Sequence, residues 1–258
     1  KGFKKAENDK HDRVDRLWDK EEADAIFAAI QEATMADVSE TKKRSPQSPG
    51  RLYDLTTLQR EANRLHSYPA SRTLQIAQSL YERHKLITYP RTDSKALPED
   101  YGPMCRDLLG SIQGEFGPHA QKALQSNWVD EKNKKIFNNK QISDHFAIIP
   151  TTGSPSNLDA NERKIYNLIT KRFISVFYPP AQWDVTTRTS SIKEYNFKTE
   201  GRVLVDPSWL AIYGKDNQPE DTLPALTPED NNQANLVKSD LENEQTKELL
   251  GNKIYQKN

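Results

Sequence analysis

The chain has 258 residues, enough for one large or two smaller packed domains, and its 34% hydrophobic and 29% charged content marks a polar globular protein rather than a disordered one. Lys and Arg together number 37, as do Asp and Glu, so the global balance gives no support for a nucleic-acid partner. A single cysteine, Cys105, excludes a disulfide framework or a zinc ribbon within the chain, and no apolar run reaches the ~20 residues that span a bilayer.

Residues 19–37 predict a helix, with Ala23, Ile26, Phe27 and Ile30 at helical spacing and Asp19 with Glu22 as a capping box. Residues 39–50, with two prolines and a glycine, predict a linker or an extended edge. Residues 56–84 predict two helices. Leu58, Ala62 and Leu65 line the first; Ser71 caps the second, lined by Leu74, Ala77 and Leu80. The short break between them allows a helix-turn-helix-like pair. Pro90 then disfavours helix at Tyr89, so "LITYPRTDSK" (86–95) reads as a loop or short strand.

A further helix is expected over 98–112, starting at Pro98 with Met104, Leu108 and Leu109 inward. Residues 114–144 read as loop-rich, and "HFAIIPTTGSPSN" as a short buried run followed by turns. The strongest helix signal covers 160–178. Ile165, Leu168, Ile169, Phe173, Val176 and Phe177 form one stripe, Asp159 with Glu162 makes a capping box, and Pro179-Pro180 stops it. The apolar period then changes from 3.6 to 2 in "WDVTTRTSSI" and "YNFKTEGRVLV", with Glu200-Gly201 as the candidate hairpin turn. Residues 214–235 read as an exposed connection, and the last residues as amphipathic at best. The pattern is α+β: a helical domain inserted into a β-containing one.

Charge is unevenly spread. Residues 51–95 hold eight Lys/Arg against four Asp/Glu (+4), while 206–258 hold five Lys against ten Asp/Glu (−5). A local basic segment on a neutral chain can still follow a phosphate backbone. The "TYPRTDS" run concentrates suitable chemistry there. A phenol ordinarily titrates at about 10 and is a poor nucleophile without help. Arg91, two residues from Tyr89, can bind a phosphate under attack through its planar fork. In an extended segment residues 89 and 91 share a side. Thr92 and Ser94 offer neutral donors to a phosphate or sugar, and Asp93 can orient them. His145 can hydrogen-bond a non-bridging oxygen or move a proton. On residue chemistry alone, Tyr89 and His145 are more often packing residues and Arg91 more often a surface ion-pair partner.

Three segments resemble type IA DNA topoisomerases, most of all the bacterial topoisomerase III branch. "DLTTLQREA" (54–62) is similar to the helix before that family's active site. "TLQIAQSLYE…LITYPRTDS" resembles its tyrosine motif, with Tyr-Pro-Arg-Thr where topoisomerase I usually has Tyr-Met-Arg-Thr. "DHFAIIPT" (144–151) resembles its later histidine motif. The resemblance implies that Tyr89 attacks a phosphodiester of single-stranded DNA and keeps the 5′ phosphate. It implies that Arg91 positions the scissile phosphate and that His145 contacts it. Thr92, Asp93 and Ser94 would shape the DNA-binding loop, and Gln59 is a further candidate for DNA contact. It also implies a helical tyrosine domain at 51–182 set into a β-rich arch made of 1–50 and 183–258.

The family's acidic Asp-x-Asp-x-Glu cluster does not occur here. The resemblance therefore places Mg²⁺ in a Toprim domain outside this chain, leaves no metal site within it, and expects the piece alone to cleave poorly. The sequence, opening on Lys1, reads as part of a longer protein whose Toprim and base domains are its partners. A bacterial cytoplasmic enzyme acting on chromosome or plasmid DNA is implied, with no membrane role. The rival reading from another class is a non-catalytic helix-turn-helix-like DNA-binding module. Relaxases need a His-x-His pair and tyrosine recombinases a His-x-x-Arg step, and neither pattern is present.

Overall fold

The structure, a computed structural model, describes residues 19–31, 33, 36–214, 223 and 254–255. It divides into two compact units. One contains residues 1–45, 183–205 and 218–258; the other contains 46–182 and 206–217. The expected connection at 214–235 and most of the C-terminal tail lie outside the described residues.

In the first unit, helix α1 (Lys20–Ile30) starts at Asp19, whose side chain accepts from Glu21 N at 2.9 Å. It buries Ile26 and Ile30 and leaves Phe27 39% exposed. The chain then forms strand β1 (Asp37–Gln47) at the edge of the sheet, so of the two readings of residues 39–50, linker or extended edge, the second holds through Gln47. Strands β2 (Ala181–Ile192) and β3 (Tyr195–Asp206) follow, with a two-residue strand β4 (Ile254–Tyr255), in the spatial order β1-β2-β3-β4. β4 runs antiparallel to β3, with Asn196 opposite Tyr255 and Phe197 opposite Ile254. The hairpin turn is not at Glu200-Gly201. It lies at Lys193-Glu194, where Lys193 takes φ 52°, and Glu200 and Gly201 are inside β3. Leu223 comes so close to Gly201 that a Cβ there would sit 2.6 Å from its Cγ, so this glycine serves close approach rather than a turn. Among the described residues the unit's core cluster consists of Ile30, Ala36 and Ile192, flanked by Ala33, Val38, Tyr195 and Phe197. Cross-strand ion pairs, Arg44 to Asp184 at 2.5 Å and Arg188 to Glu40 at 2.6 Å, add to it.

The second unit is helical. Helix α2 (Leu55–His66) starts at Asp54, whose carboxylate accepts from Thr57 N at 2.7 Å, and ends at Ser67 in the left-handed region. Leu58 and Ala62 face inward, but Leu65 is 44% exposed. Helix α3 (Ala70–Glu82) is preceded by Pro69, not capped by Ser71, and buries Thr73, Ile76, Ala77 and Leu80. Helix α4 (Gly102–Ser111) starts later than Pro98. Leu97 is first tied across the chain, donating to Ile136 O at 2.7 Å and accepting from Asn138 N at 2.9 Å. That shift turns Cys105 inward and leaves Met104 46% exposed. The stretch expected as loop contains helix α5 (Gly117–Gln125), with Ala120 and Ala123 buried. Helix α6 (Ala160–Ser175) has the predicted capping box: Asp159 Oδ1 accepts from Glu162 N at 2.8 Å, and Glu162 Oε2 accepts from Asp159 N at 3.0 Å.

α6 serves two cores. Ile165, Leu168 and Ile169 join Leu58, Ala62, Ile76, Ala77 and Leu80 from α2 and α3. Phe173 and Ile174 join Cys105, Leu108, Leu109, Ala120 and Phe137 from the α4–α5 side. Residues 206–217, expected to return with the strands, belong to this unit. A 3₁₀ segment, Ser208–Tyr213, is fastened by Trp209 Nε1 donating to Gln47 O at 2.8 Å and Ser208 Oγ donating to Pro179 O at 2.6 Å.

Candidate active site

The site is organised by the short extended run 145–151. Ala147, Ile148, Ile149 and Pro150 are all buried. Ala147 and Ile149 point into the α4–α5 core and Ile148 into the α2–α3 core, as alternation along a strand requires. On one edge Ile148 N donates to Tyr53 O at 2.8 Å. On the other, Ala147 N donates to Ala96 O and Thr88 N to Ile149 O, each at 3.0 Å, and Thr151 N donates to Leu86 O at 2.9 Å. Thr88 adds a clamp: its hydroxyl donates to Ala147 O at 2.9 Å and accepts from Ile149 N at 3.0 Å. The histidine segment is thereby laid against the tyrosine segment.

Tyr89 follows that clamp directly. It is half-buried, with its ring 4.4 Å from the His145 ring (centroid to centroid, 48°) and edge-on to Tyr81 at 5.4 Å. His145 and Arg91 are exposed, and among the described residues Arg91 has no hydrogen-bond or ion-pair partner. Tyr53, Tyr166 and Tyr178 are packing residues by contrast. Burial raises the pKa of each phenol, that of Tyr178 to about 12. Burial likewise pushes the Cys105 thiol up to about 12, so the sole cysteine is no rival nucleophile.

Thr92 and Ser94 are almost closed off, at 8% and 3% exposure. Thr92 Oγ1 donates to His145 O at 2.8 Å and accepts from Ser94 N at 3.1 Å; Ser94 Oγ donates to Gln141 O at 2.8 Å. Each hydroxyl has one proton, already committed, so the donor role read from sequence gives way to a loop-building one. Asp93 is exposed and accepts from Ser143 Oγ at 3.2 Å. Gln59 is not brought to this loop by any contact: its Nε2 donates to Ala70 O at 3.1 Å, tying α2 to the start of α3.

Three contributors were missed in the sequence: Thr88, Tyr81 and the Asp54–Lys95 pair. Lys95 Nζ lies 3.5 Å from Asp54 Oδ2, and Leu55 N donates to Thr92 O at 3.0 Å, so the cap of α2 is joined to the tyrosine loop. Tyr81 carries no periodic signal towards Tyr89, because α3 ends at Glu82 between them. Among the described residues no three His, Cys, Asp or Glu side chains gather as a metal site would need. The residues at hand thus bring a phenol and an imidazole together, with the exposed guanidinium of Arg91 two residues along the chain from Tyr89.

The model of a family described as DNA topoisomerase matches residues 1–249. The DNA topoisomerase 3 of Bacillus cereus is 39% identical over 203 residues, covering 77% of this chain and 27% of that protein. The DNA topoisomerase 3 of Bacillus subtilis is 37% identical over 230 residues, covering 84% of this chain and 31% of that protein. The chain therefore spans under a third of the length of these relatives. The solved full-length topoisomerase I of Thermotoga maritima shares the fold, with a TM-score of 0.55 and 22% identity over 82% of this chain and 34% of that one. With a family match along nearly its whole length and this level of identity to curated relatives, the chain belongs to the type IA DNA topoisomerases, and within them it is topoisomerase III-like.

Proposed function

We propose that this chain supplies the nucleophile and the phosphate-contacting side chains of an enzyme that changes DNA topology by cutting and resealing one strand. The Tyr89 oxygen attacks a phosphodiester of single-stranded DNA. A new P–O bond forms to the tyrosine, the bond to the 3′ oxygen breaks, and the 5′ phosphate stays on the protein. The phenol proton leaves and the 3′ oxygen departs as a hydroxyl. The reverse step reseals the strand, and because the phosphoester is exchanged and not hydrolysed, no ATP is needed for either step. Arg91 grips the scissile phosphate, and His145 hydrogen-bonds its non-bridging oxygen. The helical unit acts as the tyrosine domain and the strand unit as part of an arch; passage of another strand through the break gives relaxation or decatenation.

The observation that carries this reading is the 4.4 Å approach of the Tyr89 and His145 rings, 56 residues apart in sequence. Mg²⁺ would be held by an acidic cluster of the complete enzyme outside these residues, so this chain alone should cleave weakly. Its setting would be the bacterial cytoplasm; among the described residues no helix is long and apolar enough to cross a membrane. The helix-turn-helix alternative is less well supported. α3 carries one basic residue, Arg72, and its Nη1 is engaged by Gln75 Oε1 at 2.9 Å, so α3 lacks a basic recognition face.

A covalent-adduct assay tests the proposal. The complete enzyme, end-labelled single-stranded DNA and Mg²⁺ should give a 5′-linked adduct on a denaturing gel. Tyr89→Phe should abolish it while DNA binding survives. An adduct that persists in Tyr89→Phe would overturn the assignment.

A further inference from the structure

A groove of about 350 Å³ runs along the helical unit between the C-terminal end of α2 and one face of α6. Arg64 projects into it from α2, and Lys164, Asn167 and Lys171 recur at helical spacing along α6. Among the described residues only one carboxylate lines it. That is Glu61, already held by Arg172 at 2.5 Å and also 3.5 Å from Arg64. Three cations outside that pair therefore face a groove on a chain whose formal net charge is zero. Burial, and then the Lys164 ammonium, lower the pKa of His66.

Flat and apolar side chains are interleaved with the charges. The His66 ring lies 5.5 Å from that of Tyr68, the Lys164 ammonium is 5.9 Å from the Tyr68 ring, and Leu65 is 44% exposed at the rim. Lys171 Nζ marks the far edge, 5.3 Å from the Phe116 ring. Along α6, Lys164 and Lys171 are about 10 Å apart at 1.5 Å per residue, far enough to meet separate phosphates of one strand. Leu55 touches the tyrosine loop through Thr92 O, whereas Arg64–His66 lie at the other end of α2, about 15 Å further along the axis. The groove is distinct from the Tyr89 surface.

We propose that the α2–α6 groove is a second seat for single-stranded nucleic acid, with Arg64, Lys164 and Lys171 on the phosphodiester backbone and the lining residues His66, Leu65 and Tyr213 offered to unpaired bases. Charge complementarity supplies the grip, and aromatic faces favour a single strand over a duplex, whose bases are already stacked. The idea rests on the nucleic-acid reading of the tyrosine site but makes a separate claim about where else a strand is held.

The test uses the complete enzyme carrying Tyr89→Phe, so that binding is read without cleavage. Anisotropy of a labelled single-stranded oligonucleotide is measured across a salt series, with and without Arg64→Gln, Lys164→Gln and Lys171→Gln together. Three lost contacts at ~0.7 each should make the slope of log affinity against log salt shallower by about 2, with an affinity loss of at least tenfold at low salt. Should the triple variant fold poorly, Lys164→Gln alone, at an exposed position, should flatten the slope by about 0.7. An unchanged slope overturns the proposal and leaves the groove to an acidic polypeptide. Adduct formation by the parent enzyme with Tyr89 intact is scored in parallel. Its absence would sink the tyrosine reading, whereas the salt slope judges the groove.

Discussion

Replacing Thr92 with valine keeps the side-chain shape and removes one hydroxyl. That hydroxyl is in a residue 8% exposed and makes two bonds, to His145 O at 2.8 Å and from Ser94 N at 3.1 Å. A typical hydrogen bond contributes about 1 kcal/mol net, and an orphaned buried N–H costs about 1–3 kcal/mol. Because His145 is exposed and its carbonyl can recruit water, the total should fall near 2 kcal/mol. With a urea slope of about 2 kcal/mol/M, the unfolding midpoint of the chain should drop by about 1 M. The substitution also frees the His145 backbone from the tyrosine loop. Adduct formation by the complete enzyme should then fall by about tenfold or more, since a displacement of ~1 Å is enough for such a loss. Thr92→Ser keeps both bonds and should restore most of the rate. Equal midpoints for wild type and Thr92→Val would refute the hydrogen-bond reasoning. A lowered midpoint with undiminished adduct formation would refute the link to His145.

Two further outcomes are expected. Glu162 is 7% exposed; burial raises its pKa, but hydrogen bonds from Ser79 Oγ, Asp159 N and His84 outweigh that and leave it below its ordinary 4.5. Its contribution is therefore present above pH 4.5 and lost as pH falls through the lower folded value, so urea midpoints measured downward from pH 6 should decline less steeply in Glu162→Gln than in wild type. Arg172 stacks 4.4 Å over the Tyr53 ring, binds Glu61 at 2.5 Å and donates to Arg51 O at 2.9 Å; Arg172→Ala should cost about 3 kcal/mol by urea unfolding, and Arg172→Lys, lacking the planar fork, should recover less than half.

Where burial and period agreed, sequence reading was enough. The α6 stripe and its Asp159–Glu162 box are present as the pattern requires. It failed where a non-local bond competed with a local preference. Pro98 is a good first residue for a helix, yet Leu97 is held in a bridge with Phe137, residues 98–101 form a turn in which Tyr101 N donates to Pro98 O at 3.1 Å, and the helix begins only at Gly102. Glu200-Gly201 has turn composition, but the preceding Lys193-Glu194 makes the hairpin, and Gly201 is needed for the approach of Leu223. At the candidate site, residues 89, 91 and 145 were singled out by the resemblance of their motifs, because residue chemistry alone does not separate a reacting phenol, guanidinium or imidazole from a packed or ion-paired one. The hydroxyls at 88, 92 and 94 were not assignable. A threonine or serine reads alike whether it faces a phosphate or a carbonyl 47 to 59 residues away.

The run 145–151 also sets an order of events in folding. Its bonds to Thr88 close a loop of 61 residues, and its bond to Tyr53 closes a longer one. Closing ~60 residues costs on the order of 4 kcal/mol beyond a fixed constant, and contacts so distant in sequence slow the search for the native state. A nascent chain that has just exposed Tyr89 still lacks the strand that fixes Thr88, Thr92 and Ala96. Its reactive loop stays solvated until the histidine segment emerges. The Tyr89 ring thus remains without its His145 neighbour until the 145–151 run has been made, with α6 still to follow.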